Sequence, residues 1–136
     1  MFGSLDISTS ALVAQRIRMD TIAGNIANAQ ATQQADGRIG AFKRRLAVFA
    51  AGDGKGGAGV HVSEIREDPS AREWRWEPDH PHAIASGPRA GYVEYPKIDL
   101  PTEMVNAMLA SRAYEANITA MEVTKGMMSA TLRLLA

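Results

Sequence analysis

The 136 residues make a chain of one-domain length, and 46% hydrophobic content suits a folded protein with a modest core. Fifteen basic residues balance fifteen acidic ones, so no overall field draws the chain toward nucleic acid or anionic lipid, and the lack of cysteine excludes disulfide scaffolds and thiolate metal sites. No stretch approaches the roughly 18 apolar residues of a membrane span, and the N-terminus lacks a basic segment followed by an apolar run, so no cleaved Sec signal is expected.

From about Asp6 to Asn28, Leu12, Met19, Ile22, Ala23 and Ile26 fall on one stripe at roughly 100° per residue, which predicts an amphipathic helix of about six turns. The Gly-, Asp- and Gln-rich segment Ala29 to Gly40 ends it. Three short strands are then expected, over Ala41 to Ala50, Gly59 to Glu67 and Glu73 to Glu77, with Trp74 and Trp76 on the face opposite Glu73, Arg75 and Glu77. The run AGDGKGGAG between the first two reads as a flexible turn that tolerates a charge, as in Gly56→Glu. It is no phosphate loop, because Lys55 is followed by Gly56 and Gly57 and then by a strand pattern rather than by Ser or Thr entering a helix.

Pro101 to Ala136 predicts a second helix, roughly 50 Å long, with Pro101 in its first position and Glu103 in its first turn. Ala107, Tyr114, Ile118, Met121, Met128, Leu132 and Leu135 form a heptad seam with Ser111 and Lys125 in its gaps. Val105, Leu109, Ala116, Val123, Met127, Ala130 and Leu134 form a second stripe on the opposite side. The N-terminal helix can cover one face only, so the other is expected to meet another copy or another protein. Four or five large side chains there would contribute on the order of 6 to 12 kcal/mol on burial, against an association cost on the order of 4 to 15 kcal/mol. Several simultaneous neighbours are therefore expected, with frayed terminal helices in the isolated subunit.

The fold class expected is α+β, with a helical coiled-coil part at 1–30 and 101–136 and a β-rich middle at 31–100. Expected assembly residues are Leu12, Met19, Ile22, Asn25, Ile26 and Asn28 in the first helix, and Val105, Leu109, Arg112, Tyr114, Asn117, Ile118, Met121, Val123, Met128, Leu132 and Leu135 in the second. Asn25 and Asn28 lie off the apolar stripe, where amides could bond a neighbour's backbone or Asn28 could cap the helix end. Arg112 falls within the second apolar face, positioned either to pair with a neighbour's acid or to snorkel.

A hydrolase or metalloprotein would have to use Asp79, His80 and His82, with His61 distant in sequence; a His-x-His between prolines more often marks an extended surface turn. No catalytic, cofactor or metal residue is therefore assigned. A soluble helical adaptor or export chaperone is the rival non-enzymatic reading.

Asn25-Ile26-Ala27-Asn28-Ala29, together with Ser111-Arg112-Ala113-Tyr114-Glu115-Ala116-Asn117 inside EMVNAMLASRAYEAN, resembles the paired terminal signatures of bacterial flagellar rod and hook proteins. Glu77-Pro78-Asp79-His80-Pro81, Glu67-Asp68-Pro69-Ser70 and Gly91-Tyr92-Val93 before Asp99-Leu100 resemble the proximal-rod type within that family. Departures are the loop Ala29 to Gly40, which lacks a Thr-x-Gly-Tyr continuation, Pro101 at the helix start, and an expanded Ala83 to Ala90. The resemblance implies a periplasmic rod subunit of the flagellar basal body, exported by the flagellar type III apparatus. Its implied partners are copies of itself, other flagellar rod proteins and the membrane-ring or export-gate adaptor, with no nucleic acid, small-molecule substrate or cofactor, and another rod or hook-family axial subunit with the same ends is the alternative within the resemblance.

Overall fold

The computed structural model describes residues 2–135. Two helices, α1 (Phe2–Ala27) and α2 (Leu100–Leu135), enclose four strands in sequence: β1 (Arg44–Ala51), β2 (Val60–Asp68), β3 (Arg72–Trp76) and β4 (Tyr92–Pro96). The fold class is α+β. Helix α1 starts earlier than its apolar stripe suggests, and β4 was not anticipated, because YVEYP ends in a proline that ordinarily argues against a strand. Here Pro96 is the strand's last residue and pairs with Arg72 at the end of the ladder. Helix α2 starts one residue before Pro101: Asp99 is its cap, its carboxylate accepting from the Thr102 hydroxyl and, at 3.3 Å, from the Thr102 N–H.

The strands form two separate antiparallel pairs, β1 with β2 and β3 with β4. In the first pair Arg44 stands opposite Asp68 and Ala51 opposite Val60, with a bulge between Val48 and Phe49. The Ser63 hydroxyl at the bulge donates to the Val48 carbonyl at 3.1 Å. The connecting turn is ordered by Asp53, whose carboxylate accepts from the Lys55 and Gly57 N–H groups at 2.7 and 2.8 Å. Gly56 has φ +94°, so Gly56→Glu meets open space but a strained backbone, and the expected tolerance is reduced by roughly 1 kcal/mol.

Helix α1 is the centre of the molecule, packed on α2 along one side and on β1 and β2 along another. Asn25, near its C-terminal end, touches Glu103 in the first turn of α2, so the helices run antiparallel. The first pair of strands lies along the same helix, touching it near Asn25 at one end and near Ser10 at the other, where the Val60 N–H donates to the Ser10 hydroxyl at 3.1 Å. Gly59, with φ +136°, makes this close approach possible: a Cβ there would overlap the Ser10 hydroxyl. The β3–β4 pair, its ladder extended by Lys97 N–H to the Ala71 carbonyl, is fastened to the rest through loops, by Ala41 N–H to Glu94 and Thr32 to His82. Among the described residues no helix is long and apolar enough to cross a membrane.

Candidate assembly surfaces and the joint between the helices

The residues of α2 turned inward are Glu103, Ala107, Ala110, Tyr114, Asn117, Met121, Thr124 and Met128, at steps of four and three. That is a heptad spacing, sharing Ala107, Tyr114, Met121 and Met128 with the seam read from sequence. Its other half is corrected by the structure: Ala110, Asn117 and Thr124 point inward instead of Ile118 and Lys125, while Ser111 stays at the margin. The physical reason is local. The Asn117 amide donates to the Ala113 carbonyl at 2.7 Å and the Thr124 hydroxyl to the Ala120 carbonyl at 2.9 Å, so both polar groups are satisfied within the helix and can be half-covered. Ala110 at 0% and Ala14 at 1% exposure are small residues at the tightest part of the helix packing.

On α1, Leu12, Met19 and Ile26 are half-buried and Ile22 is buried, whereas Ala23, counted on the same stripe, faces outward. The opposite side of α2 exposes Val105, Leu109, Val123, Met127 and Leu134, with Met104 and Met108 beside them. Helix α2 has 36 residues and α1 has 26, so α2 runs about 15 Å past its partner. Leu132 and Leu135 therefore lie beyond α1 and remain 66% and 81% exposed. Ile118 is also exposed, and Arg112 stands on the outer surface without an ion pair among the described residues.

Asn25 corrects its assignment. Its side chain is 1% exposed, and its amide is consumed within the chain. The carbonyl oxygen accepts from Arg45 N–H at 2.8 Å, and the amide nitrogen donates to the Arg45 carbonyl at 2.8 Å and to Glu103 Oε2 at 3.1 Å. It thus brackets β1 as a neighbouring strand would, and has no donor left for another subunit. Glu103, 1% exposed, is held on its other oxygen by Arg44 Nε at 2.7 Å and Nη2 at 2.5 Å. Asn25, Arg44 and Glu103 thereby lock α1, β1 and α2 together at one end. Sequence reasoning missed the roles of Arg44 and Glu103; Glu103 read only as a favourable first-turn acid, and nothing in its spacing announces burial. Asn28 donates its amide to the Gly24 carbonyl at 2.8 Å, the helix-end role.

His80 and His82 stand with ring centroids 5.4 Å apart; His82 Nδ1 meets the Thr32 hydroxyl at 2.8 Å and His80 Nδ1 accepts from the His82 N–H at 3.0 Å. His61 is elsewhere, bonded to the Gly52 carbonyl at the hairpin turn. Among the described residues no group of three or more His, Asp or Glu side chains is placed to hold a metal ion. Beside the histidines, Tyr95 donates its hydroxyl to Glu77 at 2.9 Å, and this bond to a carboxylate raises the phenol above its ordinary pKa.

An antiparallel pair of terminal helices around a small β insertion, with apolar helix surface left over, is the build of a structural protein rather than of a catalytic one. Residues 5–34 match the family "Flagella basal body rod protein", and residues 89–134 match "Flagellar basal body rod FlgEFG protein C-terminal". The chain is 37% identical to the flagellar basal-body rod protein FlgC of Borreliella burgdorferi, over 99% of this chain and 97% of the relative. It is 38% identical to the FlgC of Bacillus subtilis, over 98% and 97%, and 39% identical to that of Salmonella typhimurium, over 95% and 93%. The chain belongs to the flagellar basal-body rod family, in its FlgC type, and is a structural rod subunit, not an enzyme or an adaptor.

Proposed function

We propose that this chain is a subunit of the proximal part of the rod, assembling through its terminal helices into the tubular shaft that crosses the periplasm and transmits torque. Residues 1–30 and 101–136 make the inner coiled-coil layer and residues 31–100 the outer β-rich layer. Its neighbours are copies of itself, other rod proteins and the adaptor joining rod to membrane ring and export gate. The flagellar type III apparatus exports it. The observation that carries this reading is the outer face of α2: Val105, Leu109, Val123 and Met127 are each more than half exposed on a helix whose other side is already covered by α1.

The assembly residues within that reading are Val105, Leu109, Ile118, Val123, Leu132 and Leu135, with Arg112 among them. Deleting the gene abolishes hook assembly and swimming. Ile118→Asp and Leu132→Asp reproduce the deletion while the protein is still exported, because both side chains are exposed in the subunit and a carboxylate there leaves its fold intact. Immunoblots of exported protein, read beside swimming assays, check this; motile cells carrying either substitution would reject the helix-surface role.

A further inference from the structure

The β3–β4 pair is attached to the rest of the fold at few points. Neither strand packs closely on a helix or on β1 and β2, and the chain enters and leaves the pair at its Arg72–Pro96 end. Two side-chain bonds fasten it elsewhere. Glu94 accepts from the Ala41 N–H at 3.2 Å, and His82 Nδ1 meets the hydroxyl of buried Thr32 at 2.8 Å, in the loop that follows α1.

We propose that His80 and His82 form a proton-operated latch on this pair, holding it to Thr32 while His80 is neutral and releasing it when His80 takes up a proton. The geometry fixes which state holds. His80 Nδ1 accepts from the His82 N–H at 3.0 Å, so that nitrogen carries no proton and the neutral ring keeps its hydrogen on Nε2. This bond sets the backbone of His82, and with it the ring that meets Thr32. A proton on His80 Nδ1 turns the acceptor into a second donor facing the same N–H, and the bond is lost. The Thr32 hydroxyl can donate or accept, so its own contact is indifferent to the state of His82. Two charged imidazoles with centroids 5.4 Å apart nevertheless repel each other, which pushes the same way. The other charged groups nearby do not offset this. His80 stands edge-on to Tyr95 with ring centroids 6.3 Å apart; the Tyr95 hydroxyl occupies the Glu77 carboxylate, and Arg75 lies over the Tyr95 ring at 4.5 Å. Asp79 is exposed, and Arg72 and Glu94 pair with each other on the opposite face of the ladder. Among the described residues no carboxylate is ion-paired with either imidazole, so nothing holds a charged His80 in its seat.

The chain has no cysteine, so spin labels at Asp20→Cys on α1 and Ser86→Cys between β3 and β4 report the attachment in the full chain. Pulsed electron resonance should give one narrow separation at about pH 8 and a broad distribution at about pH 5, the range over which imidazole changes charge. A control pair across the helices, Asp20→Cys with Glu115→Cys, stays narrow at both. With His80→Asn, whose amide oxygen stands in for Nδ1 and takes no proton, the first pair stays narrow in acid as well; with His82→Ala it is broad throughout. An unchanged distribution in the chain with both histidines overturns the proposal, as does a narrow one in His82→Ala. Acid broadening that persists in His80→Asn traces the release to a carboxylate such as Glu94 and also overturns it, and broadening of the control pair means that the whole chain unfolds instead. Should His80→Asn be loose even at the higher pH, the ring-nitrogen NMR signals of the unsubstituted chain decide: a proton on His80 Nδ1 at that pH, or a release that does not follow its protonation, rejects the latch.

Discussion

Asn25 shows how much a single amide can carry. With both Nδ2 hydrogens donated and the oxygen accepting, its removal leaves the Arg45 N–H and carbonyl and one Glu103 oxygen short of partners in a buried place. Asn25→Ala should therefore cost about 3 kcal/mol or more in urea unfolding, three groups being stranded at roughly 1 to 3 kcal/mol each. Asn25→Asp is expected to be worse at pH 7 than at pH 5, since a second carboxylate then faces Glu103 and is relieved by protonation. The sequence made Asn25 conspicuous but not its direction; a helical wheel places it off the apolar stripe, and only the position of β1 turns that side inward. Tyr95 gives a second check. Its phenol is raised because ionisation would forfeit the bond to the Glu77 carboxylate and set two negative charges together. A group raised in the folded state contributes stability fully below its unfolded pKa and loses it as pH rises through the folded one, so this contribution is present at neutrality and lost above pH 10. Absorbance titration of the folded chain should show a tyrosine ionising above the ordinary phenol range, and Tyr95→Phe should remove that step.

At the scale of elements, both helices and the first three strands were legible because their patterns are local: a 3.6-residue period, alternation, and glycine at the turn. The packed face of α2 was half legible. Apolar residues name Tyr114, Met121 and Met128, but Asn117 and Thr124 join them only because each folds its polar group back on a carbonyl, a bond no composition rule announces. The unequal helix lengths matter more for dynamics. Helix α1 is held on two sides, while the end of α2 past Met128 is exposed at every described residue. Hydrogen exchange on the isolated subunit should consequently be graded: slow in α1 between about Ala14 and Asn25, fast in α2 from Ser129 onward. Uniformly fast exchange in α1 would instead support the frayed pair expected from the sequence.

For the whole molecule, the decisive comparison is between the apolar surface left exposed and the cost of association. Burying Val105, Leu109, Val123, Met127 and Leu134 completely would contribute on the order of 7 to 15 kcal/mol, an upper estimate for five side chains at about 1.5 to 3 kcal/mol each. Association costs on the order of 4 to 15 kcal/mol, so one such contact is close to balance. A subunit built this way stays dispersed while it is handled singly and becomes fixed only when two or more contacts form together, as the proposed tubular assembly requires. Sedimentation of the purified chain should therefore show a monomer at micromolar concentration, with cooperative assembly above a threshold rather than a gradual rise of dimer. Val123→Asp, which removes one apolar contact and adds a charge needing solvent, should raise that threshold at least tenfold, about 1.4 kcal/mol or more, without altering the unfolding midpoint of the monomer. A tight dimer at nanomolar concentration would mean that a single face suffices, and the argument for many weak neighbours would fail at its first step.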